Sequence, residues 1–222
     1  MHLGLVWGLP RLSLEVYGVA ARVVDVRCPG CGSAWSTNQQ FCQYCGRQVL
    51  ISSMSDLISL EARDLKKHVR TYEDALDEGA DDPSVHAALG MCLLKLGLRD
   101  KALSHFEDAL LDDIENSEPY FYAAVASLGG KKPFLVPLAG IRRAEEYLTA
   151  ALRLEERGIY AYLYGYIRFD YYERKSLNVE PSYQHYLEQA VRRGVTDLDI
   201  QTLFELLEID PSSASIPTSV SA

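Results

Sequence analysis

Two short cysteine turns, Cys28-Pro29-Gly30-Cys31-Gly32 and Cys42-Gln43-Tyr44-Cys45-Gly46, stand with ten residues between Cys31 and Cys42. Few things other than a tetrahedral metal need that layout. Each Cys-x-x-Cys turn aims two thiolates at one ion, and the glycine after the second thiolate lets the backbone turn left-handed around the sulfur. The spacing predicts a closed four-sulfur site at the ends of a short hairpin. The segment 21–52 is too small to bury a core of its own. Metal would then supply its folding energy, on the order of 10 kcal/mol for zinc. Structural zinc is the leading reading. An iron centre could use the same knuckles, and two disulfides would need an oxidising compartment. A redox Cys-x-x-Cys would occur once, between a strand and a helix. Four cysteine ligands leave no open position for a catalytic water.

The net charge of −9 is unevenly placed. Arg11, Arg22, Arg27 and Arg47 against Glu15 and Asp25 give residues 1–54 a net +2, which leaves −11 for the rest. An acidic body repels phosphate, so broad nucleic-acid contact by the C-terminal part is not expected. A zinc ion on four thiolates adds about −2 and cancels the basic excess of the cysteine segment. No apolar run is long enough to span a membrane. The apolar start, residues 1–10, lacks a basic leader and a small-residue cleavage site, so a cytoplasmic address is expected. The fifth cysteine, Cys92, stands alone and is expected to be a small buried hydrophobe.

Residues 1–20 read as an arm or a strand. Within 21–52, Val23, Val24 and Val26 suggest an entering strand and Val49 to Ile51 a leaving one. Trp35 and Phe41 are expected to shield the sulfurs, or else to form an exposed aromatic contact to a partner. From Asp56 to Gly79 the spacing of Leu57, Leu60, Leu65, Val69, Tyr72 and Leu76 predicts a helix, with Ser55 as N-cap and Gly79 as stop. Beyond it the chain repeats: Ala75 to Ala109 and Gly90 to Ala124 are each 34 residues.

The form Cys-Pro-x-Cys-Gly followed by Phe-Cys-x-x-Cys-Gly resembles the zinc-ribbon family. That resemblance implies one structural zinc on Cys28, Cys31, Cys42 and Cys45. It also implies a module that touches nucleic acid, another protein or a neighbouring domain. The 34-residue period resembles the tetratricopeptide family. The first repeat reads His86-x2-Leu89-Gly90-x2-Leu93, then Ala102-x3-Phe106-x2-Ala109, with His86 in the usual tryptophan position. The second reads Tyr120-x2-Ala123-Ala124-x2-Ser127, then Ala144-x3-Leu148-x2-Ala151. The third reads Ala161-x2-Tyr164-Gly165-x2-Arg168, then Tyr183-x3-Leu187-x2-Ala190. The later repeats carry insertions near 129–137 and 175–181. The expected fold is mainly α: a small β zinc ribbon followed by a helical solenoid of about three tetratricopeptide-like hairpins over 55–209. Helix 56–79 leads it and Thr196 to Ile209 closes it. Residues 210–222 are expected to be a disordered tail.

By the family's geometry the first helix of each repeat lines a concave groove. Ala87, Met91 and Leu94, then Phe121, Val125 and Leu128, then Ile159, Tyr162, Tyr166 and Phe169 would face it. Eleven of the fourteen tyrosines lie between Tyr120 and Tyr186, and tyrosine gives large contact area with a polar tip. Core packing is the competing role, expected for Tyr160, Tyr164, Tyr183 and Tyr186. Self-occupancy by the apolar arm 3–12 or by the tail around Ile216 is another. Only Lys95 lies near the groove, so the lysine and asparagine clamp that holds a C-terminal carboxylate is not expected.

Nothing in the sequence assembles a catalytic site. His2, His68, His86, His105 and His185 form no metalloprotease motif, and Gly129-Gly130-Lys131-Lys132 lacks phosphate-loop spacing. The expected function is a non-catalytic adaptor that binds a protein or peptide. The alternative is a nucleic-acid-associated factor using Arg22, Arg27, Arg47 and Trp35.

Overall fold

The computed structural model describes residues 25–37 and 39–214. The expectations for residues 1–20, for Val23 and Val24, and for the tail beyond Ala214 lie outside them. Strand β1 (Asp25–Arg27) pairs antiparallel with β2 (Ala34–Ser36), and Val26 faces Trp35 across the ladder. Both side chains are buried. The leaving strand expected at Val49 to Ile51 does not form. Pairing stops at an isolated Phe41–Gln48 bridge, with the Val49 N–H on the Gln40 carbonyl (2.8 Å); beyond it the Tyr72 hydroxyl donates to the Val49 carbonyl (2.8 Å) and accepts from the Ile51 N–H (3.3 Å).

The helix expected over 56–79 is two helices, α1 (Met54–Ser59) and α2 (Ala62–Asp77). Ser53 rather than Ser55 caps α1, accepting from the Asp56 N–H at 3.2 Å. The break at Leu60 has a specific cause. The Lys95 ammonium donates to the carbonyls of Leu57, Ile58 and Leu60, the last two at 3.0 Å. Those carbonyls would otherwise need a continuing helix. Gly79, at φ +90°, stops α2 as its residue type suggested.

Three antiparallel hairpins follow: α3 (Pro83–Lys95) with α4 (Arg99–Asp112), α5 (Ser117–Ser127) with α6 (Leu138–Leu154), and α7 (Gly158–Ile167) with α8 (Tyr183–Arg192). The repeat pattern marks where helices touch most closely. A Cβ at Gly90 would lie 2.7 Å from the Phe106 ring, and one at Gly165 would lie 2.9 Å from Leu187. Ala102, Ala109, Ala124, Ala144, Ala151 and Ala190 fill the matching positions and are buried. The insertions are loops, as expected. The first contains a 3₁₀ turn at Pro133–Leu135. It is tied to the end of the third repeat's first helix, where buried Asp170 accepts from the Phe134 N–H (2.8 Å) and pairs with Arg174. That helix continues past Ile167 as a π-helical turn, Arg168–Tyr172, and a 3₁₀ turn, Glu173–Lys175.

The closing helix α9 (Asp197–Leu207) starts in a capping box between Thr196 and Asp199. The segment expected to be disordered from residue 210 is ordered at its start. Asp210 caps a 3₁₀ turn at Pro211–Ser213, and Ala214 is buried. No helix among the described residues is long and apolar enough to cross a membrane.

Candidate metal centre and the inner face of the repeats

The knuckles bring all four cysteine sulfurs within 4.8 Å of one another. Cys28 Sγ lies 3.6 Å from Cys45 Sγ, and Cys31 Sγ lies 3.7 Å from Cys42 Sγ. A tetrahedral ion with metal–sulfur bonds of about 2.3 Å needs sulfurs about 3.8 Å apart. The donor set and the spacing therefore fit a metal ion held by Cys28, Cys31, Cys42 and Cys45. Gly32 and Gly46 stand at φ +74° and +67° and fold each knuckle back, their N–H groups donating to the carbonyls of Cys28 and Cys42 at 2.9 Å.

The Ser33 hydroxyl lies 3.1 Å from Cys31 Sγ and 3.3 Å from Cys42 Sγ. It lowers both thiols, Cys42 to about 6. At Cys45 the Arg47 N–H acts downward, but desolvation and the neighbouring thiols push the group up to about 11. Four thiolates this close repel one another unless a cation lies between them. Of the two expected shields, Trp35 is buried and Phe41 is 58% exposed. Tyr44, inside the second knuckle, is 72% exposed.

The cysteine segment docks on the helices through polar contacts that are hard to see in the sequence. The Thr37 hydroxyl donates to Asp82 at 3.0 Å, and Arg47 lies 3.6 Å from Asp64. Buried His68 places Nδ1 3.3 Å from the Tyr72 hydroxyl. That hydroxyl gives its only proton to Val49, so His68 must be the donor. Burial holds the His68 imidazole down at about 4.

The expected groove is closed. Met91, Leu94, Phe121, Val125, Leu128, Ile159, Tyr162 and Tyr166 are all buried, while Ala87 and Phe169 are half-buried. Helix α9 covers this face. Phe204 meets Tyr166 edge-on at 5.2 Å and Tyr162 at 6.5 Å between ring centroids. At the far end of α9, Glu208 reaches Arg99 at 2.9 Å, so the helix runs from the third hairpin back to the α3–α4 turn. Among the described residues, the element that lies over this face is α9. Its signal was present in Leu203, Phe204, Leu206 and Leu207, which are buried together. A pocket of about 270 Å³ lies between α1, α3 and α9, lined by Leu57, Ile58, Lys95, Thr202 and Glu205. Of the four tyrosines expected in the core, Tyr160 and Tyr164 are buried, while Tyr183 and Tyr186 are half-buried. Tyr160 stacks on Phe121 at 4.8 Å, Tyr164 stacks on Tyr186 at 4.2 Å, and Tyr183 meets Phe169 at 5.1 Å.

No family model and no curated protein matches the chain. Solved structures do. A thermophilic tetratricopeptide-repeat protein of Thermus thermophilus aligns at 21% identity with a TM-score of 0.52, covering 69% of this chain and 77% of that protein. The helical part has a tetratricopeptide-like fold. MamA aligns at 13% identity with a TM-score of 0.43, covering 70% of this chain and 75% of its own.

Proposed function

We propose that the protein is a non-catalytic adaptor, in which a structural zinc ribbon is fused to a tetratricopeptide-like solenoid that binds a protein or peptide. The observation that carries this reading is the inner face itself. Its aromatic layer of Tyr162 and Tyr166 receives Phe204 from an amphipathic helix, so the repeats are shaped to hold a helical ligand. In the state described, that ligand is α9. A partner helix must displace α9 or contact the rim beside it.

Supplying α9 from outside tests this directly. A chain ending at Val195 is expected to stay helical and to bind a synthetic peptide of residues 196–214. The same peptide with Phe204→Ala should bind at least tenfold more weakly, since a buried phenylalanine contributes about 2–3 kcal/mol. A truncated chain that cannot fold would make α9 a permanent cap and remove the groove reading.

The thiol geometry and the all-cysteine donor set support zinc. Cys42→Ser leaves the site one ligand short. It is expected to lose zinc on elemental analysis and to unfold residues 25–52, with far-ultraviolet dichroism near wild type. Loss of all helix would contradict a separately stabilised ribbon. The nucleic-acid reading is favoured by one observation only, the exposed rings of Phe41 and Tyr44, on which bases could stack. Against it, Arg47 already pairs with Asp64.

A further inference from the structure

The first hairpin holds a second group of metal-ligating side chains. His86 lies on α3, and His105 and Asp108 lie one turn apart on α4. The Nδ1 atoms of the two imidazoles are 3.1 Å apart. Asp108 Oδ2 lies 3.8 Å from His86 Nδ1 and 3.9 Å from His105 Nδ1, too far for a direct hydrogen bond to either ring. The three separations define a triangle whose centre lies about 2.1 Å from every corner, the length of a zinc bond to imidazole or carboxylate.

The other nitrogen of His86 completes the picture. Nε2 lies 3.1 Å from Asp81 Oδ1. A carboxylate on the remote ring nitrogen keeps the proton there and leaves Nδ1 as the electron-pair donor, which is how proteins set the tautomer of a metal-bound histidine. The side chains of His86, His105 and Asp108 are 13%, 25% and 49% exposed, so an ion can reach them from solvent. The repeat itself does not require this group, since His86 stands where the tetratricopeptide pattern carries tryptophan.

We propose that His86, His105 and Asp108 form a second metal site, which takes a divalent transition-metal ion such as zinc, with Asp81 as a positioning residue behind His86. Two imidazoles and one carboxylate suit zinc, copper or nickel and disfavour calcium and magnesium, which take oxygen ligands. Three protein ligands leave a position for water or for a side chain from another molecule. The site is independent of the cysteine centre and of the adaptor reading.

Calorimetric titration of the full chain with zinc chloride, after one equivalent is loaded on the cysteines, tests the proposal. A second equivalent per chain is expected, lost in His105→Ala and in Asp108→Asn, the latter a half-exposed side chain whose change leaves the core intact. Asp81→Asn keeps all three ligands and is expected to weaken the second equivalent about 10–100-fold. In the cobalt-substituted protein the second equivalent should add visible d–d bands without further thiolate-to-metal charge transfer. A stoichiometry of one, or a second equivalent indifferent to His86→Ala, His105→Ala and Asp108→Asn, overturns the proposal.

Discussion

The Tyr72 hydroxyl joins the cysteine segment to the helices. It bridges the Val49 carbonyl and the Ile51 N–H, and His68 donates to it from below. His68 is 1% exposed and titrates near 4 rather than near 6.5 because burial opposes its charge. The folded state therefore binds fewer protons than the unfolded one between those values. Stability from this residue is complete above about pH 6.5 and falls as pH drops toward 4, by about 3 kcal/mol at most. His68→Gln, which keeps a donor for Tyr72, is expected to flatten that part of the urea-midpoint curve relative to wild type. Parallel curves would show that another group carries the acid sensitivity. The cysteine ligands were legible in the sequence because their spacing is local and chemically specific. Tyr72 read only as one member of an apolar stripe, since its polar partners are backbone atoms of Val49 and Ile51, more than twenty residues away.

At the scale of elements, the helical hairpins were legible because each repeat states its own close contact. Gly90 belongs to the pattern and also to the geometry, with the Phe106 ring where a side chain would start. Gly90→Ala should lower thermal stability. Overpacking a fixed core costs about 1–3 kcal/mol, against a gain of about 1 kcal/mol in helix propensity. Phe106→Leu should recover part of the loss in a double-mutant cycle; additive effects would show that the two sites do not touch. The errors at this scale share one cause. Lys95 takes the carbonyls at the break between α1 and α2, and Tyr72 takes the Val49 carbonyl and the Ile51 N–H where a third strand was expected. In both cases a distant side chain satisfies backbone groups that the local pattern assigned to a helix or a ladder. Strand β2, Ala34–Ser36, is three residues long and carries no period to read.

For the whole molecule, the outline of a small β module before a helical solenoid follows from the order of motifs. The state of the inner face does not. Sequence periodicity places Met91, Phe121, Val125, Tyr162 and Tyr166 on one face, but it cannot say what covers that face. The cover is α9, whose Ile200, Leu203, Phe204, Leu206 and Leu207 are buried. Each such side chain contributes about 1.5–3 kcal/mol, so a partner must offer a comparable apolar surface to replace it. Hydrogen exchange on the full chain measures whether α9 leaves. The adaptor account predicts that the amides of α9 exchange through an opening of lower free energy than those of α5 and α7, and that the gap widens in Phe204→Ala. If α9 exchanges only with global unfolding, in step with α5 and α7, it is a fixed part of the core and the inner face is not a binding surface.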